Sequence, residues 1–147
     1  MKKREIIKKE KEEIKRKEKI IEIALSTEYP IALIYRDSEI LEELESWEFK
    51  CEICYDTVNA LNRLSEKEFS LILVDLSYIR DLSKFIKSAR KVKFNIPIII
   101  ISPYRSPDCY FKDIPLIIWM SSLSISTSVA DAVASLLVKT ESIKLYE

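Results

Sequence analysis

The chain has 147 residues with no glycine and no histidine, and its 24 basic residues balance 24 acidic ones for a formal net charge of zero. At average usage of about 7%, roughly ten glycines would be expected. Their absence excludes the phosphate-binding glycine loops and the G-x-S-x-G nucleophile elbow. The absence of histidine excludes Ser-His-Asp and Cys-His catalysis, HExxH zinc sites and phosphohistidine relays. The length suits one modest domain with an appendage.

Hydrophobic residues make up 48% of the chain, 23 of them isoleucine, which indicates a packed core. High Ile, Lys and Glu without Gln is typical of a thermophile, and an AT-rich genome would give a similar composition. No apolar run approaches the roughly 18 to 20 residues that cross a bilayer, and the start of the chain is charged. We therefore expect a soluble, cytoplasmic protein with no membrane partner.

The three cysteines are an odd number in a chain without an export signal, which favours reduced thiols. Cys51 and Cys54 form a CxxC pair, but they lie in a segment that is predicted to be a strand. Residues three apart on a strand point to opposite faces. With only Cys109 left and no histidine, the spacing argues against a metal or redox site.

Residues 1–28 hold 17 charged side chains, 10 basic and 7 acidic, and are predicted to form a charged helix. Ile7, Ile14 and Ile21 recur at a spacing of seven and make a narrow apolar stripe. Only one of the three matching d positions, Ala24, is apolar, so the heptad pattern is half satisfied.

Such a helix could pair with a second copy, bind a protein partner, dock on the domain that follows it, or remain a solvated arm. Its basic excess of three is interleaved with acidic residues and has no aromatic neighbours. The pattern therefore argues against nucleic acid or an anionic membrane as its partner.

From Tyr29 onward, short apolar runs alternate with segments of helical periodicity, which predicts βαβ units around a doubly wound parallel sheet. The runs are IALIY (31–35), CEICY (51–55), LILV (71–74), IPIIII (96–101) and PLIIWM (115–120). Four are continuously apolar, as strands covered on both faces must be, whereas the second alternates and is predicted to be an edge strand.

Helical periodicity predicts helices at 38–48, 57–67, 78–93 and 127–140. The connection between the fourth and fifth strands, residues 103–114, contains two prolines and is predicted to be short and irregular.

In a doubly wound sheet, ligands and catalytic groups collect beyond the carboxyl ends of the strands. Arg36 and Asp37 follow the first strand, Asp75 ends the third, Ser102 follows the fourth, and Met120 ends the fifth. With these residues, the chain from Ile31 to about Thr140 resembles the receiver domains of two-component response regulators.

The resemblance implies five parallel strands in the order 2-1-3-4-5. The change in composition after residue 28 divides the chain into a charged helix at 1–28 and a receiver-like domain at 29–147. It makes Asp75 the phosphoacceptor-like residue and Ser102 the switch-like residue. Arg36 and Asp37 occupy the positions of the acidic pair that binds Mg²⁺, so only the second acid is kept.

Several positions depart from the receiver pattern. Met120, or Ser121 beside it, stands where a receiver has the lysine that pairs with the phosphoryl group. Ser83 stands where the family usually has glycine, and the Met-Pro positions hold Tyr78 and Ile79.

Pro103 is a further departure, because a residue after the switch hydroxyl normally donates its backbone N–H to the phosphoryl group and proline has none. Phosphoryl transfer to Asp75 needs a dication, a lysine and converging amides. The sequence therefore predicts a pseudo-receiver: a signalling or protein-interaction module without catalysis or cofactor.

Two alternatives remain. The first is an atypical response regulator phosphorylated on Asp75, with Mg²⁺ held by Asp37 and Asp75. The second is a nucleic-acid-associated adaptor that uses the basic residues of the helix. On the non-catalytic interpretation, Asp75 caps the structure that follows its strand, Ser102 satisfies a loop amide, and the guanidinium of Arg36 occupies the place of the dication.

Overall fold

A computed structural model of the chain describes residues 2–35, 38–103, 116–121 and 125–145. Its strands are β1 (Ile31–Ile34), β2 (Cys51–Ile53), β3 (Leu71–Asp75), β4 (Ile98–Ser102) and β5 (Ile117–Ser121). Its helices are α1 (Lys2–Ser26), α2 (Ser38–Ser46), α3 (Thr57–Glu66), α4 (Leu82–Val92) and α5 (Ile125–Leu145). All strand pairs are parallel, in the order β2-β1-β3-β4-β5, which confirms the predicted fold class.

The continuous apolar runs arise because both faces of the sheet are covered. Alternate residues of β3 enter separate cores: Leu71 and Leu73 pack on the face of α2 and α5, and Ile72 and Val74 on the face of α3 and α4. Strands β1 and β4 divide their side chains in the same way. A core on each face fixes the strand register, since a slip of one residue would exchange the two sets.

Strand β2 lies at one edge of the sheet, as its alternating pattern predicts. Cys51 packs against the core on the α2 and α5 face, and Cys54 is buried in the opposite core, so the two thiols are separated by the sheet. Burial raises the pKa of Cys51 to about 12, with a smaller contribution from Glu45. Burial also raises the pKa of Cys54. Both thiols are therefore protonated, which makes them poor nucleophiles.

Helix α1 docks on its own domain through its C-terminal half. Ile20 and Ala24 are buried in the core that includes α5, and Arg16 forms an ion pair with Asp131 of α5. The N-terminal half has no such cover: the side chain of Ile7 is 51% exposed. One of the predicted alternatives, docking on the following domain, therefore holds for half of the helix.

The predicted helix at 78–93 begins later than expected. A 3₁₀ turn occupies Leu76–Tyr78, and α4 begins only after Asp81, whose carboxylate accepts a hydrogen bond from the Lys84 N–H at 3.0 Å. This aspartate is the N-cap, and it ends the extended chain that precedes the helix. The predicted irregular connection lies almost wholly outside the described residues, since 104–115 are not among them.

The lack of glycine has a visible consequence at the end of α2. Glu48 has a φ of 72°, in the left-handed region that favours glycine. It allows the Phe49 N–H to donate to the Leu44 carbonyl oxygen at 3.1 Å, the six-to-one bond of a Schellman motif. An ordinary residue is thus held in a conformation that costs roughly 1–2 kcal/mol.

None of the described helices is both long enough and apolar enough to cross a membrane.

Candidate functional site

The strand register brings the predicted site residues on β3, β4 and β5 together at the carboxyl ends of these strands. Asp75 of β3 is aligned with Ile101 of β4, which is aligned with Met120 of β5. One residue further along, Ser102 is aligned with Ser121. Neighbouring strands are about 4.8 Å apart, so the backbones of Asp75 and Met120 are roughly 10 Å apart. Asp75 and Ser102 lie on adjacent strands.

Asp75 is half-buried, and its carboxylate already has a partner. Its Oδ1 accepts a hydrogen bond from the Ser77 N–H at 2.9 Å and caps the 3₁₀ turn that follows β3. A cap of this kind satisfies a backbone donor that has no partner within the turn. The geometry therefore gives this aspartate a structural role at the position where the resemblance implies a phosphoacceptor.

Ser102 is fully buried at the end of β4, and the next residue, Pro103, is exposed. A residue that follows the hydroxyl can donate its N–H to an anion only if it has one, and the proline ring removes that donor. This edge therefore offers one backbone donor fewer to a phosphoryl group than an ordinary residue would provide.

Met120 is buried, with 8% of its surface exposed, and belongs to the same core as Leu73 and Ile101. Its thioether fills apolar space and carries no charge. Beside it in β5, Trp119 packs against the opposite core. Among the described residues that end β3, β4 and β5, Asp75 is the one with an acidic side chain.

Arg36 and Asp37, the two positions of the acidic pair, lie outside the described residues. Mg²⁺ is usually bound by one or two carboxylates together with phosphate and water, in near-ideal octahedral geometry. The described part of the chain contains no group of three or more acidic or cysteine side chains placed to hold a metal ion. Asp75 is the one carboxylate among the described residues that end β3, β4 and β5, so those residues by themselves do not make a magnesium centre.

Two other features were not anticipated from the sequence. A groove of about 750 Å³ lies at the opposite end of the strands, where Tyr29, Phe69 and Pro97 precede β1, β3 and β4 and line it. At the β2 edge, Glu52 binds Arg63 at 2.7 Å and also pairs with Lys67. Arg63 in α3 and Lys67 just after it are four residues apart and so lie on one side of the helix. Their shared partner, Glu52, is identified only by the packing of β2 against α3.

The hydrogen bond from Lys67 is the largest cause that lowers the pKa of Glu52, and Arg63 lowers it further. These charged side chains lie on β2 and at α3, away from the carboxyl ends of β3, β4 and β5 where Asp75 lies. They stabilise the packing of a short edge strand against its helix.

No family model matches the chain, and no curated protein matches its sequence. Solved structures do match it. A CheY-like response regulator receiver domain protein from Methanospirillum hungatei JF-1 has a TM-score of 0.67 and 16% identity, over 79% of this chain and 98% of that one. A response regulator receiver protein from Sinorhizobium medicae WSM419 has a TM-score of 0.63 and 17% identity, again over 79% and 98%. This chain has the receiver fold.

A third match with the receiver fold is a response regulator protein from Burkholderia pseudomallei, solved with a phosphorylated aspartic acid, a calcium ion and citrate. It has a TM-score of 0.60 and 17% identity, over 80% of this chain and 75% of that one. Likeness at this identity defines the architecture alone, because the same fold supports different functions. The function must therefore be argued from Asp75, Ser102 and Met120 themselves.

Proposed function

We propose that this protein is a pseudo-receiver: a signalling or protein-interaction module that has the receiver fold and performs no phosphoryl transfer of its own. The observation that carries the proposal is the burial of Met120. A receiver needs a cation there to neutralise the phosphoryl oxygens, and this chain has an apolar side chain packed into the core. Removing one group that stabilises transition-state charge typically costs about 3–4 kcal/mol.

The surroundings of Asp75 support the same conclusion. The Ser77 N–H holds Oδ1 of the carboxylate in a capping orientation, and Pro103 lacks the amide N–H that would bind a phosphoryl group there. The lysine, the amide N–H and the first acidic ligand that a receiver uses are therefore missing together. All three would stabilise the same transition state.

A module without chemistry acts through its surfaces. The helix α1 is the part of the described chain that extends beyond the five-stranded unit, and its docked half ties it to α5 through Ile20 and Arg16. We propose that it couples the domain to a copy of itself or to a protein partner, and that the protein works in the cytoplasm.

Titration with Mg²⁺ and then with beryllofluoride, an analogue of a phosphoryl group, tests the proposal. In a Trp47→Phe background, the fluorescence of Trp119 reports on β5 beside Met120. We expect no saturable change in fluorescence. A saturable change that Asp75→Asn abolishes and Asp81→Asn preserves would support the alternative, a working response regulator with Mg²⁺ held by Asp37.

A further inference from the structure

Helix α1 carries an exposed apolar stripe that its docking on α5 leaves uncovered. Ile7, Ile14 and Leu25 are 51%, 55% and 68% exposed. At about 100° per residue, these side chains and that of half-buried Ile21 fall within an arc of roughly 40°. Ile21 and Leu25 also line a shallow apolar hollow, which Glu18 and Glu22 border.

The stripe and the docked face point in different directions. Ile20, Ala24 and Arg16 face α5, and the centre of this set is roughly 120° around the helix from the stripe. Ala24, the apolar d position of the sequence pattern, is therefore already packed against the domain of the same chain. Leu25 extends the exposed stripe instead, so α1 can dock on α5 and bind a further partner through the stripe at the same time.

Charge is segregated along the same helix. Residues 2–11 contain six basic and two acidic side chains, whereas residues 18–28 contain three acidic and one basic. Lys11 and Glu18 flank the stripe on one side, within about 40° of its edge around the helix. The helix is continuous, and Ile7 is about 27 Å from Leu25 along the axis. Because the helix does not bend back on itself, its basic end cannot contact the acidic end of the same chain.

We propose that the stripe binds the α1 stripe of a second copy of this chain in antiparallel orientation, with Ile7 of each copy beside Leu25 of the other. This arrangement places Lys11 of one helix beside Glu18 and Glu22 of the other, and it places Ile14 near the centre. The inference rests on the part of the proposed function in which α1 couples the domain to a partner, and it identifies that partner.

A parallel pair is disfavoured by the segregation of charge. In that orientation the basic end at 2–11 would lie beside its own copy, and so would the acidic end at 18–28. Like charges oppose pairing, whereas the antiparallel orientation sets each basic end beside an acidic end. The charge pattern thus favours one orientation.

The test is sedimentation equilibrium of the full chain between about 1 and 100 µM, where a pair with few apolar layers should dissociate measurably. We expect a monomer–dimer equilibrium. Lys11→Glu should weaken the dimer by roughly tenfold, since each copy contributes one such lysine to the pair. Adding Glu18→Lys and Glu22→Lys to that variant should restore it, because the antiparallel pairs are then exchanged.

The matched control is Lys9→Glu, which reverses as many charges at a position about 140° around the helix from the stripe. It should leave the dimer within about twofold of the wild type, apart from a general salt-sensitive effect. Far-UV circular dichroism verifies that α1 stays helical in each variant. A wild-type monomer throughout, a trimer, or a dimer indifferent to both charge-reversed variants would overturn the proposal. Beryllofluoride binding is a separate measurement, so either proposal can fail without the other.

Discussion

Replacing Asp75 by alanine separates a capping role from a chemical one, because the two roles predict opposite changes in stability. In the structure the carboxylate accepts the Ser77 N–H at 2.9 Å, so Asp75→Ala leaves this donor without its partner. A carboxylate held in place for metal or phosphoryl chemistry behaves differently. Functional sites are commonly less stable than their substituted forms, and removing such a charge raises the free energy of unfolding.

The expected magnitude follows from the geometry. Loss of a capping side chain costs about 0.5–2 kcal/mol, typically ~1. We expect Asp75→Ala to lower the free energy of unfolding by about 1 kcal/mol. Asp75→Asn should stay within about 0.3 kcal/mol of the wild type, since its amide oxygen still accepts the bond.

Urea denaturation followed by circular dichroism measures the difference. With an m-value of about 1–2 kcal/mol/M, the midpoint of Asp75→Ala should fall by roughly 0.5–1 M. Asp81→Ala is the matched control, because this aspartate caps α4 through the Lys84 N–H at 3.0 Å, at a position outside the site. If Asp75→Ala stabilises the protein while Asp81→Ala destabilises it, the capping account of Asp75 is wrong.

Three further predictions concern stability. Glu48→Gly relieves the positive φ and should raise the free energy of unfolding by about 0.5–1 kcal/mol, whereas Glu42→Gly within α2 should lower it by about 1 kcal/mol; equal losses would refute the strain. The pKa of Glu52 is lowered in the folded state from 4.5, so its stabilisation is present above that pH and is lost as pH falls through the folded pKa. Glu52→Gln should therefore flatten the acid side of the stability–pH curve, and an unchanged slope would contradict this. Ile20→Ala should cost about 2–4 kcal/mol in a thermal or urea melt, against less than about 0.5 kcal/mol for exposed Ile6→Ala, which lies outside the stripe; similar losses would mean that α1 is not docked.

The sheet was predictable because its strands are buried on both faces. Runs such as 71–74 leave no polar face for an amphipathic helix, and the strand order followed from the resemblance that Asp75 and Ser102 carry. Helix starts were less predictable: the chain from 75 to 81 contains two successive caps, Asp75 and Asp81, and periodicity alone does not separate a 3₁₀ turn from the first turn of α4.

The docking of α1 could not be derived from its sequence. Ile20 and Ile21 are adjacent, about 100° apart on the helix, and only tertiary packing decides which of them faces α5. The same holds at the site. That residue 120 is apolar was evident from the sequence, but its burial beside Ile101 depends on the register between β4 and β5.

The pseudo-receiver proposal is tested most directly by the intact mass of the protein after incubation with Mg²⁺ and acetyl phosphate, a small phosphoryl donor. The account predicts an unchanged mass, because apolar Met120, two strands from Asp75, stands where a receiver has its lysine, and Pro103 has no N–H for the phosphoryl group. A single acid-stable, base-labile phosphoryl adduct that forms on the wild type and is absent from Asp75→Asn would contradict it.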